Sequence, residues 1–181
     1  ALKRDSFWRI RLTAAEKLGD LGVSDAAELL RYKADYDPVG HVKIASLKAL
    51  GKLGDSTSRD FLLDYYTDDR KASDVRLAAL GVLVQNRMVG TNDAVMTVMD
   101  ELWEDDKGRF LEFTCRDLSR SDWEDLSPVF ERMLDHESWL LQVYGIRGIR
   151  KNDLTGLYGK VEALDAEGVD GKVRREITSG R

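Results

Sequence analysis

His136 and Glu137 stand side by side. A His-Glu pair opens the helical pattern in which two histidines four residues apart hold zinc and the glutamate takes a proton from metal-bound water. The residue four beyond His136 is Leu140, so the second ligand is missing, and His41, the other histidine, belongs to a distant segment. Gly171-Lys172 has the ending of a phosphate-cradling loop. That loop needs a glycine where Ala166 stands and a Ser or Thr where Val173 stands. Gly19-x-x-Gly22 lies between helical segments rather than after a strand, so it gives no dinucleotide site. Cys115 sits among aromatic residues with no histidine near it in sequence, which reads as packing rather than nucleophilic chemistry. The acidic pairs Asp68-Asp69 and Asp105-Asp106 fall between helical segments, where capping and solvation account for them. The expectation is that this chain holds no catalytic residue, no metal ligand and no cofactor.

The elements that would have to position any chemistry repeat. Ile10-Arg11, Val42-Lys43 and Val75-Arg76 recur at 32 and 33 residues, and Leu18-Gly19 and Leu50-Gly51 each follow eight beyond their pair. A fixed period of this length signifies stacked supersecondary units. Each unit reads as two antiparallel helices, A and B. In the first, Phe7, Ile10, Ala14, Ala15 and Leu18 share a helical face, and Ser24 is placed to cap a B helix carrying Ala27, Leu29, Leu30 and Tyr32. In the second, Asp37-Pro38 reads as an N-cap followed by proline at the first helical position. Val42 to Leu53 form its A helix, and Phe61, Leu62, Leu63, Tyr65 and Tyr66 its B helix. The third runs from Val75 to Leu83, then from Val95 to Leu102. In the fourth, Ser121-Asp122-Trp123-Glu124 has the form of a capping box. The fifth uses Leu141, Tyr144, Gly145 and Ile149, then Leu157 to Leu164, and Val173-Arg174 starts a last A helix. Small residues (Ala14-Ala15, Ala45-Ser46, Ala78-Ala79, Thr114, Gly145) mark one point of every A helix and predict close helix approach.

The predicted fold is therefore all-α: an α-α superhelix of about five helical hairpins plus a final single helix. It forms one array over 1–181, with repeats near 5–36, 37–68, 69–105, 106–135 and 136–166 and a partial one at 168–181.

Composition bounds the function. The net charge of −5, from 28 Lys and Arg against 33 Asp and Glu, argues against phosphate tracking, so no nucleic-acid partner is expected. One cysteine permits no intrachain disulfide. No apolar run could span a bilayer, so no membrane partner is expected. A cytoplasmic location is the default, with any leader of a parent protein out of view. The first residue is Ala1 rather than methionine, and the chain is expected to be a piece or processed form of a longer protein.

Charge is also segregated. The A segments are rich in Lys and Arg, whereas the B segments carry acids offset only by Arg31, Lys33, Arg59, Arg132 and Lys160. With B helices lining the concave side of a hairpin stack, the expected partner surface is Glu28, Arg31, Asp60, Asp64, Asp100, Glu101 and Glu131. It would receive a protein or peptide, either another domain of the same chain or a basic segment.

The motif running from Ile10-Arg11 through Gly22, again from Val42-Lys43 through Asp55, and from Val75-Arg76 through Leu83 resembles the HEAT-like repeat of the bilin-lyase type. That resemblance implies a ladder in which the Arg of each A helix pairs with an inter-repeat Asp. Arg11, Lys43, Arg76 and Arg174 occupy the Arg positions, Lys43 being a departure. Leu111 and Gln142 replace it in the fourth and fifth units. The opening Asp5, Ser6, Phe7, Trp8, Ile10 and Arg11 resembles the start of the HEAT-like C-terminal region of aminopeptidase N-type zinc peptidases. This implies a non-catalytic scaffold or interaction domain beside a peptidase whose metal lies outside this sequence. Phe7-Trp8 would equally serve as an apolar cap on the end of the stack. The alternatives are a HEAT-like nucleic-acid or nucleobase-processing protein, which would need a basic concave face with aromatic residues, and a bilin-lyase-like protein.

Overall fold

The computed structural model describes residues 1–3, 5–104, 109–166 and 168–179. Among them are eleven α-helices and no strand. The A helices are α1 (Trp8–Asp20), α3 (Gly40–Leu53), α5 (Ser73–Gln85), α7 (Arg109–Leu118) and α9 (Trp139–Lys151). The B helices are α2 (Ala27–Tyr36), α4 (Ser56–Thr67), α6 (Thr91–Glu101), α8 (Ser127–Leu134) and α10 (Tyr158–Ala166), and α11 (Gly171–Thr178) stands alone at the end. This is an all-α stack of helical hairpins, the solenoid architecture that the repeat implies. The chain divides into two compact units, Ala1–Ala94 and Val95–Arg181, with the division falling inside α6.

In the first unit α1 lies along α3 and α3 along α5, while α2 and α4 touch only sparsely. The close contact of the A helices follows from glycine. A Cβ on Gly19 would stand 2.7 Å from Ala49 Cα, and one on Gly51 would stand 2.2 Å from Val82 Cγ1. The same contact is thus repeated one hairpin later. Helix α3, enclosed between its neighbours, buries Val42, Ala45, Ser46, Leu47, Ala49, Leu50 and Gly51. Gly54 ends it in the left-handed conformation at φ 67°, where a side chain would be strained. Asp55 then caps α4, accepting from the Ser58 N–H at 2.9 Å.

In the second unit α7, α9 and α11 form the A layer, and α8 lies chiefly on α9. Helix α7 buries Phe110, Leu111, Thr114, Cys115 and Leu118 on one face. Gly145 and Gly148 let α9 meet α8: a Cβ on Gly148 would stand 2.4 Å from the Phe130 ring. In both units the B helix packs mainly on the A helix of the following hairpin, as α2 does on α3 and α4 on α5.

Four local expectations are corrected. The buried face of α1 is Arg11, Ala15 and Gly19, while Phe7 and Ile10 are exposed, because a guanidinium with a buried carboxylate partner can replace apolar packing. Ser24 does not cap α2. It opens a short 3-10 turn, Ser24–Ala26, with no side-chain cap. Asp37 is not an N-cap either, since α3 starts at Gly40 after Val39, and Asp37 serves the first hairpin instead. The Ser121 capping box does not form. Its hydroxyl donates back to the Leu118 carbonyl at 2.6 Å, and a 3-10 turn, Glu124–Leu126, precedes α8.

Candidate interaction surface

The ladder positions do physical work that the sequence pattern only partly describes. Arg11 donates through Nε and Nη2 to the two carboxylate oxygens of Asp37, both at 2.9 Å, and through Nη1 to the Asp5 carbonyl at 2.9 Å. Asp37 is 1 % exposed and also accepts from Lys33 Nζ at 3.2 Å and the Val39 N–H at 3.1 Å. Burial pushes its carboxyl up, but the Arg11, Val39 and Lys33 hydrogen bonds outweigh this and hold it below the usual carboxylate range. Elsewhere the ladder residue caps the preceding B helix. Lys43 Nζ donates to the Asp35 carbonyl at 2.7 Å, Arg76 Nε to the Tyr66 carbonyl at 2.7 Å, and Gln142 Nε2 to the Leu134 carbonyl at 3.4 Å. Each answers the negative end of a helix dipole, so Gln142 keeps the position's role without the charge. Arg174 pairs with Asp165 at 2.9 Å. Leu111 is simply buried.

The residues with reactive potential are occupied. His136 accepts at Nδ1 from the Ser138 N–H at 2.9 Å, which leaves Nε2 to donate to the Trp103 carbonyl 3.2 Å away. His41 is exposed and stacks on Trp8 with centroids 5.7 Å apart. Cys115 is buried, which pushes its thiol up to about 12. Arg70 bonds Asp68 and pulls its carboxyl down to about 2, while Asp105-Asp106 lie outside the described residues. No cluster of His, Cys, Asp or Glu among the described residues could hold a metal ion. No helix among them is long and apolar enough to cross a membrane.

The seven expected surface residues all point to solvent or sit at its edge. Glu28, Arg31, Asp60 and Asp64 belong to the first unit, and Asp100, Glu101 and Glu131 to the second. Arg31 is half-buried and lines a cleft of about 340 Å³ with Ser24, Lys52, Asp55 and Thr57. Asp60 is held by its neighbour Arg59 at 2.7 Å, while Glu28 and Asp64 make no ion pair among the described residues. In the second unit Asp100 pairs with Arg132 at 3.1 Å, whose guanidinium lies 3.7 Å over the Trp103 ring. Glu131 pairs with Lys160 of α10, and Glu101 is exposed. Four of the five cations of the B segments are thus placed against particular carboxylates, Lys33 on Asp37, Arg59 on Asp60, Arg132 on Asp100 and Lys160 on Glu131, while Arg31 makes no ion pair among the described residues.

Tyr32 and Tyr36 add a feature that periodicity does not predict. The apolar pattern of α2 places Tyr32 inside, yet it is 57 % exposed and Tyr36 is 69 % exposed, their rings 5.1 Å apart. The only hint in the sequence is the spacing Glu28, Tyr32, Tyr36, which puts both rings on the same helical stripe as a carboxylate.

With this geometry the chain can be set beside known proteins. The family model for HEAT repeats matches residues 1–84, which is the part of the chain where the 32-residue period is strictest. No curated protein matches the chain.

Proposed function

We propose that this chain is a non-catalytic helical-repeat scaffold that binds a protein or peptide partner through the outward faces of its B helices. The observation that carries the reading is that Glu28 and Asp64 stand exposed on α2 and α4 with no ion pair among the described residues, and that α2 also carries a solvent-facing tyrosine pair. Carboxylates without an ion pair and exposed rings are suited to a partner. The test is to neutralise the seven residues together (Glu28→Gln, Arg31→Gln, Asp60→Asn, Asp64→Asn, Asp100→Asn, Glu101→Gln, Glu131→Gln) and compare partners captured by the parent and variant chains. Partners should be lost from a variant with unchanged helical circular dichroism. Capture of the same set by both would reject the proposal.

A narrower form of the reading makes the array a companion of an aminopeptidase N-type metallopeptidase domain. What supports it is the run Asp5, Ser6, Phe7, Trp8, Ile10 and Arg11, together with the exposure of Phe7 at 51 % and Ile10 at 44 %, apolar surface that a neighbouring domain would cover. Sequencing the complete transcript tests it, since the parent must then encode a His-Glu-x-x-His domain. The nucleic-acid alternative gains nothing from a surface whose groups without an ion pair are, Arg31 apart, carboxylates.

A further inference from the structure

Carboxylates of the B helices fall into two groups. Asp60, Asp100 and Glu131 are held by Arg59, Arg132 and Lys160, whereas Glu101 and Glu162 of the second unit make no ion pair among the described residues. In the first unit, Glu28 and Asp64 likewise have no ion pair among the described residues, and the helix of Glu28 also carries the exposed Tyr32 and Tyr36. Glu28, Tyr32 and Tyr36 lie at successive four-residue steps along α2, and Asp60 and Asp64 take the same step along α4, 32 residues further on. The Tyr65 hydroxyl, donating to the Ala34 carbonyl at 2.9 Å, ties the two helices together.

We infer that this α2–α4 face binds an arginine- or lysine-rich segment of a partner protein, with one cation held on the Tyr32 and Tyr36 rings and others met by Glu28 and Asp64. The inference rests on the interaction-surface reading above and deepens it.

Charge and shape both select such a segment. A tyrosine face attracts a cation through its quadrupole, and a carboxylate one helical turn away strengthens that preference. An apolar partner would instead have to desolvate Glu28 without replacing its water. A phosphate-bearing partner would be repelled. The spacing also selects a pattern. Residues four apart on a helix are separated by about 6 Å along the axis, close to the roughly 6.6 Å between alternate residues of an extended chain. The stripe therefore suits a segment with a cation at every second position. It also suits arginine better than lysine, because the planar guanidinium stacks on a ring.

The experiment is fluorescence anisotropy at low salt with a fluorescein-labelled peptide of six Arg-Gly repeats, with six Glu-Gly repeats as the control. The Arg-Gly peptide should bind and weaken as salt rises, and the Glu-Gly peptide should not bind. The double substitution Tyr32→Ala and Tyr36→Ala should reduce affinity about tenfold, while Tyr32→Phe and Tyr36→Phe, which keep the rings, should change it less than about twofold. Glu28→Gln with Asp64→Asn should weaken binding and flatten its salt dependence. Glu137→Gln with Glu162→Gln, exposed carboxylates of the second unit outside the expected partner surface, should leave it unchanged. Absence of binding, equal binding by the alanine variant, or equal loss on changing Glu137 and Glu162 would each overturn the inference. If neutralising the seven residues abolishes partner capture while the Arg-Gly peptide does not bind, only this inference fails and the broader one stands.

Discussion

Arg11 and Asp37 are locked together by two parallel hydrogen bonds of 2.9 Å, both side chains being almost wholly removed from water. The pair joins α1 to the far end of α2, and Lys33 and the Val39 N–H complete the coordination of the carboxylate. Removing one charge of such a pair leaves the other buried and unmatched, which typically costs about 3–5 kcal/mol. Asp37→Asn keeps the shape and removes the charge. It should lower stability by about 3 kcal/mol, read from urea unfolding. A loss below about 1 kcal/mol would mean that Arg11 is satisfied by the Asp5 and Ser6 carbonyls alone.

The same pair sets an acid limit. Asp37 and Asp55 are held below the usual carboxylate range, Asp55 chiefly by its hydrogen bond from Ser58, and Asp68 is drawn to about 2 by Arg70. A carboxyl depressed in the folded state contributes stability that is present above its unfolded value of about 3.9. That stability is lost as pH falls through the folded value. Stability should therefore fall steeply below about pH 4, and Asp37→Asn should flatten the slope. An Asp37→Asn protein with the parent's acid slope would show that Asp37 takes no part in it.

Why Arg11 escapes a reading of local pattern is plain from this geometry. Periodicity places apolar residues inside, and by that rule Phe7 and Ile10 belong on the buried face of α1. The partner that allows Arg11 to displace them is 26 residues away, and no window of one helix contains it. Asp37-Pro38 misleads in the same way, since the pair has the chemistry of an N-cap but its carboxylate is taken chiefly by Arg11 and Lys33 of the previous hairpin and reaches only the Val39 N–H of the next. What local pattern does carry is the helix order, the hairpin period and the small residues of the A helices, because each depends on neighbours within one or two turns. The ion pairs of Asp100 with Arg132 and of Glu131 with Lys160 are not legible in it, nor is the exposure of Tyr32, because both depend on which B helices lie side by side.

The glycines separate packing from propensity. In a helix interior Gly→Ala gains up to about 1 kcal/mol where nothing opposes the methyl group. Gly81 of α5 is exposed, and a methyl group there would meet nothing within 4 Å, so Gly81→Ala should raise stability by about 1 kcal/mol. At Gly51 the methyl would overlap Val82 Cγ1, and Gly51→Ala should cost about 1–3 kcal/mol. Adding Val82→Ala should recover part of the loss, as a cycle of thermal or urea midpoints would reveal. Equal signs at Gly51 and Gly81 would contradict the close approach of α3 and α5.

Leu47 tests the core of the same unit. It is fully buried in α3, and Leu47→Ala should cost about 2–5 kcal/mol. Leu21 is 76 % exposed, and the same truncation there should cost less than about 0.5 kcal/mol. Comparable losses at the two sites would mean that α1 and α3 are misaligned.

Cys115 gives a view of the second unit alone. Its thiol is buried on α7 and raised to about 12 by loss of solvation, so neither the thiolate nor a path for a reagent exists in the folded state. Reaction with an aromatic disulfide must wait for α7 to open, and its rate should lie at least about a thousandfold below that of a free thiol. Trp103, Trp123 and Trp139 lie in the same unit and Trp8 in the other, so the fluorescence of a Trp8→Phe protein follows the second unit's unfolding. Rising urea should accelerate labelling in step with the fluorescence change if opening is cooperative. Labelling that outruns the fluorescence would mean that α7 detaches from α9 before α8 and α9 separate. Rapid labelling without urea would contradict the burial of Cys115 itself.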